Sequence, residues 1–207
     1  MLKIHQHRSA SAAVVLLLAG LLAWPATAQS PTASMVTGQG VAVQATVFGI
    51  LGTATTTALA DTGVIGATNL EQDVGQDTGS VASLLSADVL SSSTYSYADQ
   101  VDSVSSLGDL NLNVGSVSIT ADSVMAEASQ VLGAPGSGSS FVDNLAVNGV
   151  PIAVTGDPNQ TVAIPGGQMV INEQTISSTG SAVVNALHVT VNGVADMVIA
   201  SATAGIS

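Results

Sequence analysis

Residues Leu187–Ala200, LHVTVNGVADMVIA, decide the fold. Leu187, Val189 and Val191 alternate with His188, Thr190 and Asn192. A period of two puts one set on a buried face and the other on an exposed face of a strand. Asn192-Gly193 follows, the dipeptide that best accepts the two positive φ angles of a type I′ turn, and Val194–Ala200 returns as a second strand. The same pattern stands at Asn148-Gly149, between Leu145–Val147 and Val150–Val154, with Pro151 marking an edge or a strand start. Pro158-Asn159 and Pro165-Gly166-Gly167 bracket a short strand, Gln160–Ile164, and Gln168–Glu173 is the next. Further upstream, Val41, Val43, Ala45 and Val47 alternate with Ala42, Gln44, Thr46 and Phe48, and Val117, Ile119 and Ala121 with Ser116, Ser118, Thr120 and Asp122. Each predicts a half-buried strand with a hydroxyl-rich outer face.

Gly79–Leu90 (GSVASLLSADVL) also offers helical spacing through Val81, Leu84, Leu85 and Val89, but its serines and β-compatible residues favour strand. Loose echoes such as Ser86-Ala87-Asp88-Val89 and Asn185-Ala186-Leu187-His188 recur at uneven intervals, so no fixed-period solenoid is indicated. The expected fold is all-β, an antiparallel β-sandwich-like domain, with a β-helix as the alternative. The expected layout is a signal peptide over 1–28, a flexible mature N-terminus over 29–38 and a single all-β domain over 39–207. Gly133–Ser140 (GAPGSGSS) reads as a loop joining two halves of that domain, or as a long crossover.

The signal peptide is read from a basic Met1–Ser11, an apolar Ala12–Leu22, a break at Trp24-Pro25 and the small-x-small site Ala26-Thr27-Ala28, with cleavage expected before Gln29. The 207 residues hold 2 Lys+Arg against 14 Asp+Glu, and both cations, Lys3 and Arg8, lie in that leader. The remainder has neither Lys nor Arg, so it cannot neutralise phosphates, and nucleic acid and anionic lipid are excluded as partners. P-loop, arginine-finger and Schiff-base chemistries are excluded with them. No later apolar run is long enough to span a bilayer as a helix, so no transmembrane segment is expected in the mature form. Aromatics are too few for the girdles of a membrane barrel: after the leader there are Phe48, Tyr95, Tyr97 and Phe141. Without cysteine there is no disulfide, so the core alone must supply stability.

Several motifs could carry chemistry. Asp-Thr-Gly occurs at Asp61-Thr62-Gly63 and Asp77-Thr78-Gly79, but 16 residues do not separate two protease lobes, and turn formation is the plainer role. Glu71, Asp73 and Asp77 form the densest acidic group and are the candidates for Ca²⁺, which needs several converging oxygens. No other cofactor is expected. His188 is the only histidine after the leader, expected on an outer face in a structural role. Thr53-Ala54-Thr55-Thr56-Thr57 reads as a Thr-rich strand or loop.

The C-terminal third has a further property. Phe141–Val154 (FVDNLAVNGVPIAV), Pro158–Val162, Ile164–Gly167, Ile171–Gln174, Val184–Val191 (VNALHVTV) and the closing Asp196–Ala202 follow one another in an order that resembles the bacterial choice-of-anchor P family of exported surface proteins. The resemblance implies an exported domain of the cell surface or extracellular space and no particular active residues. The chain stops at Ser207 without an LPxTG-like motif, an apolar tail or a basic cluster, so release or non-covalent retention in the envelope is expected. The function these readings favour is a non-enzymatic β domain acting by binding or self-assembly, since no lysine guards its strand edges. A secreted hydrolase using carboxylates or His188 is the alternative, because a glycosidase needs only two carboxylates. Crowded carboxylates without cations further predict that stability rises on acidification or with salt.

Overall fold

The computed structural model describes residues 35–207 apart from 50, 51 and 179, so the expected signal peptide over 1–28 and most of the stretch expected after it lie outside the described residues. Thirteen strands and no helix are found among the described residues, and every pairing is antiparallel. The chain is therefore an all-β sandwich of two sheets. The first sheet is built from both ends of the sequence. It runs β10 (Gln160–Ile164), β11 (Gly167–Ile176), β12 (Ser181–Val191), β13 (Ala195–Ile206), β1 (Val36–Phe48), β2 (Ala54–Asp61). The second sheet is a meander from the middle of the sequence: β3 (Leu70–Val81), β4 (Leu85–Ser96), β5 (Gln100–Val114), β6 (Val117–Val131), then β8 (Ala146–Val147) and β9 (Val150–Pro151), with β7 (Ser137–Asp143) also on β6. β13 packs over β5 and β6, and β1 over β4 and β5.

The turn chemistry is realised with one change. Asn148 and Gly149 both have positive φ (50° and 77°) and join Val147 directly to Val150, as a type I′ turn requires. Pro165-Gly166 joins Ile164 to Gly167, with φ of 77° at Gly166. Asn192-Gly193 also turns a hairpin, but Val191 pairs with Ala195, so the loop has three residues and only Gly193 is left-handed, at φ 70°. The cause is Val194, whose N–H closes back on Val191 O at 3.0 Å. Gly79–Leu90 is strand, turn and strand. Gly133–Ser140 is not a linker: Ser137–Ser140 already belong to β7, whose backbone pairs with Ala126–Ser129. Gly138 is needed there because a Cβ would collide with the Val184 side chain and meet Glu127 O at 2.9 Å.

A feature absent from simple alternation organises the core. Along most strands the inward-facing parity changes once. On β12 the buried residues are Ala182, Val184 and Ala186, then Leu187, Val189 and Val191. On β13 they are Ala195, Met197 and Ile199, then Ala200, Ala202, Ala204 and Ile206. On β6 they are Val117, Ile119 and Ala121, then Val124, Ala126, Ala128 and Gln130. The register aligns these changes across each sheet. Asn172, Ala186, Ala200, Ala42 and Ala60 lie side by side in the first sheet, and Asp109, Asp122 and Asn144 in the second, where Val89 sits at the register shift between β4 and β5. Asn172, Ala200, Ala60, Val89, Asp109 and Asn144 have φ between 44° and 53°. A left-handed residue rotates the next peptide, so the side chain after it emerges on the face the previous one used, and Asn and Asp adopt that conformation most readily.

This crease divides the core into two halves. On one side Met169, Ile171, Leu187, Met197, Ile199, Leu112 and Ile119 form a bulky aliphatic layer. On the other, Gly38, Gly40, Ala202 and Ala204 face Ser92, Thr94, Ser103 and Ser105. Here the sheets come so close that Ser103 Oγ donates to Thr203 O at 2.7 Å and Ser105 Oγ to Ser201 O at 2.8 Å. Thr62, also buried, accepts from Gly40 N at 3.0 Å and lies 3.3 Å from Thr94 Oγ1. These strands thus turn hydroxyls inward as well as outward.

Val89 is the crease residue least suited to its backbone, because a β-branched side chain crowds its own carbonyl at φ 51°. Its side chain is 72% exposed, so glycine would give up little burial while relieving the strain. Val89→Gly is expected to stabilise by about 1 kcal/mol, in spite of glycine's poor strand propensity. Urea unfolding measures this, and a lower midpoint for the variant would refute the strain argument.

Candidate functional site

The outer face of the second sheet concentrates the charge. It displays Glu71, Asp73 and Asp77 from β3, Asp88 from β4, Asp102 and Asp109 from β5, Asp122 and Glu127 from β6 and Asp143 from β7, all exposed or half-exposed. Register orders part of this face into two neighbouring rows. One row reads Glu71, Tyr95, Asp102, Ser129, Ser137, and the other Asp73, Ser93, Val104, Glu127, Ser139. Where the rows cross β5, β6 and β7 the surface dips into an open hollow of about 430 Å³ lined by Asp102, Val104, Glu127, Ser129, Ser137 and Ser139. Gln100 Nε2 donates to both Asp102 oxygens at 2.9 and 2.8 Å, and Ser139 Oγ to Glu127 Oε2 at 3.4 Å. Asp102 and Glu127 are diagonal cross-strand neighbours, a relation that sets Cα atoms roughly 7–8 Å apart.

The three residues singled out for Ca²⁺ do not converge. Glu71, Asp73 and Asp77 all lie along the extended strand β3, and at about 3.3 Å per residue the outer two are roughly 20 Å apart. Asp73 accepts instead from the Tyr95 hydroxyl at 3.2 Å. Desolvation of the ring, then the charge of Asp73, hold the Tyr95 phenol above its ordinary pKa of 10.0. Among the described residues no three His, Asp or Glu side chains form a group able to hold a metal ion. The two Asp-Thr-Gly triplets sit in different sheets. Asp61 Oδ1 accepts from Gly63 N and from Gln39 Nε2, each at 2.8 Å, which makes the first triplet a structural turn. The second lies within β3, where Gly79 makes room for Leu90 and Leu59. The Thr-rich stretch forms β2, and Thr56 bonds Thr46 across the outer face at 3.0 Å between hydroxyls.

On the outer face of the first sheet, His188 lies between two carboxylates from the adjoining strands. Its Nδ1 is 2.9 Å from Glu173 Oε2 on β11, and its Nε2 is 2.9 Å from Asp196 Oδ1 on β13. Asn185 Nδ2 also donates to Glu173 Oε2, at 2.7 Å. Partial burial pulls the imidazole pKa down, but hydrogen bonds to Glu173 and Asp196 and their charges outweigh it and hold it above 6.5. When the ring is protonated both nitrogens donate to these carboxylates, and the imidazolium then has no lone pair with which to act as a base or a metal ligand. Sequence spacing identifies the face His188 occupies. It does not identify Glu173 and Asp196 as its partners, nor Asp102 and Glu127 as neighbours, because only strand register brings them together. The chain matches no protein-family model, no curated protein and no solved structure.

Proposed function

We propose that this chain is an exported, non-enzymatic β-sandwich of the cell surface or extracellular space that acts by binding or assembly. The observation that carries this reading is the outer face of the second sheet: a broad array of carboxylates and serine hydroxyls with no cationic side chain among them. Such a face is suited to multivalent contact that divalent cations or salt would tune by screening. The signal-like leader and the ordered resemblance to the choice-of-anchor P family support export. Fractionating the producing cells, and imaging the purified protein with and without Ca²⁺ by electron microscopy, tests it. Protein in the medium or envelope that assembles or captures a surface component is the expected result, and retention inside the cell would overturn it.

A second reading has one observation in its favour, the hollow with Asp102 and Glu127. Glycosidases work with two carboxyl groups, about 5–9.5 Å apart, facing one cleft, and these two side chains face one hollow. Against it, the hollow is open and is lined by no aromatic ring on which a sugar could stack. Under this reading Glu127→Gln would lower hydrolysis of a glycan panel by about 10²- to 10⁴-fold with the melting temperature unchanged. The leading reading expects no turnover by wild type or variant.

A further inference from the structure

We infer that β2 is a docking edge for a second copy of this chain, which pairs antiparallel with it about a two-fold axis and joins the two first sheets into one. This rests on the binding-or-assembly reading and names its surface. Gly49 N–H donates to Thr53 O at 2.7 Å, which phases the β1–β2 ladder: Thr55, Thr57 and Leu59 bond toward β1, and Ala54, Thr56 and Ala58 turn their N–H and C=O groups away. Among the described residues those outward groups have no backbone partner, and an unpaired row of this kind is a template for another strand.

The remaining edges are protected in recognisable ways. β3 carries Glu71, Asp73 and Asp77; β10 has five residues between Pro158 and Pro165; β9 has two and ends in Pro151. β7 is tucked against the first sheet, where Gln174 Nε2 reaches Gly138 O at 3.2 Å. Among the described residues only β2 presents a long, uncharged edge, Ala54–Ala60, in which Thr55, Thr56 and Thr57 are strand-favouring. A second copy is the occupant this edge fits. Two antiparallel copies of Ala54–Ala60 are self-complementary, and their Asp61 charges fall at opposite ends of the pairing. The same axis brings the acidic β3 edges of the two copies toward each other, so salt should tighten the dimer.

The test is sedimentation equilibrium of the purified protein over a concentration series at low and high salt, with amide hydrogen exchange. The expected result is a dimer strengthened by salt, with protected amides at Ala54, Thr56 and Ala58. Ala58→Pro deletes an outward N–H and leaves the β1 ladder intact, and should abolish both the dimer and the protection. Thr56→Glu, an exposed substitution, should do the same without touching the backbone, and a thermal melt confirms that each variant is folded. A monomer at every concentration and salt overturns the edge pairing while binding to other surface components stays open to the fractionation test. An oligomer that survives both substitutions, with rapid exchange at Ala54–Ala58, overturns the edge and places assembly on another surface.

Discussion

Gly40→Ala is expected to lower stability by about 3 kcal/mol, which for a domain of this size is a fall in Tm of roughly 6–12 °C. The reason lies in the thin half of the core. A Cβ at position 40 would stand 2.7 Å from Val104 O, 3.2 Å from Ser92 Cβ and 3.4 Å from Ser93 O. Two of these atoms are backbone of the opposing sheet, so no rotamer change relieves the contact and the sheets must part. Stacked sheets ordinarily lie about 10 Å apart, too far for a serine on one to reach a carbonyl on the other. Ser103 and Ser105 do reach Thr203 O and Ser201 O, so separating the sheets also breaks those bonds and leaves buried groups unpaired. Ser105→Ala should therefore cost about 1–3 kcal/mol in the wild type and much less beside Gly40→Ala. Calorimetric melts of the four proteins measure this coupling. Additive losses, or a Gly40→Ala protein that melts with the wild type, would show that the close approach does not hold the sheets together.

The close approach is also where reading the sequence by alternation stops. Leu187, Val189 and Val191 are correctly placed inward, as are Val117, Ile119 and Ala121. A single period of two does not continue through the whole strand, because left-handed residues reverse the pleat at the crease. The traces it leaves in the sequence are adjacent buried apolar residues, Ala186-Leu187, Ile199-Ala200 and Val41-Ala42-Val43, and an Asp or Asn at Asp109, Asn144 and Asn172. Once the phase has changed, Ser92, Thr94, Ser103 and Ser105 face the core, where small hydroxyls suit a gap too narrow for leucine. Turn positions are the most legible part, since Asn-Gly and Pro-Gly act through local φ, although Val194 lengthens the turn at Asn192-Gly193 to three residues. The acidic group at Glu71, Asp73 and Asp77 illustrates the opposite case: closeness in sequence becomes distance along a strand, while Asp102 and Glu127, far apart in sequence, become neighbours through register.

His188 should make the protein more stable as pH falls from about 8 to about 6, and His188→Gln should remove that gain. The folded pKa lies above the unfolded value near 6.5, so the folded state holds the proton more tightly. The contribution is then complete below the unfolded pKa and is lost as pH rises through the folded one. Its size is set by two charge-assisted hydrogen bonds at 2.9 Å on a face that water partly reaches, and should be about 1–2 kcal/mol. Glutamine retains a donor but not the charge, so Glu173 and Asp196 would be left facing each other across β12 with no cation between them. The same direction of pH dependence is expected from carboxylate crowding, and the variant separates the two causes. Crowding would leave the pH response of His188→Gln intact and let added salt reproduce it. The imidazolium link predicts instead a variant whose melting temperature is flat between about pH 8 and about pH 6 while the wild type climbs. Equal slopes for the two proteins would remove His188 from the account. A wild-type melting temperature that falls over the same interval would mean that the ring sits neutral between its two carboxylates.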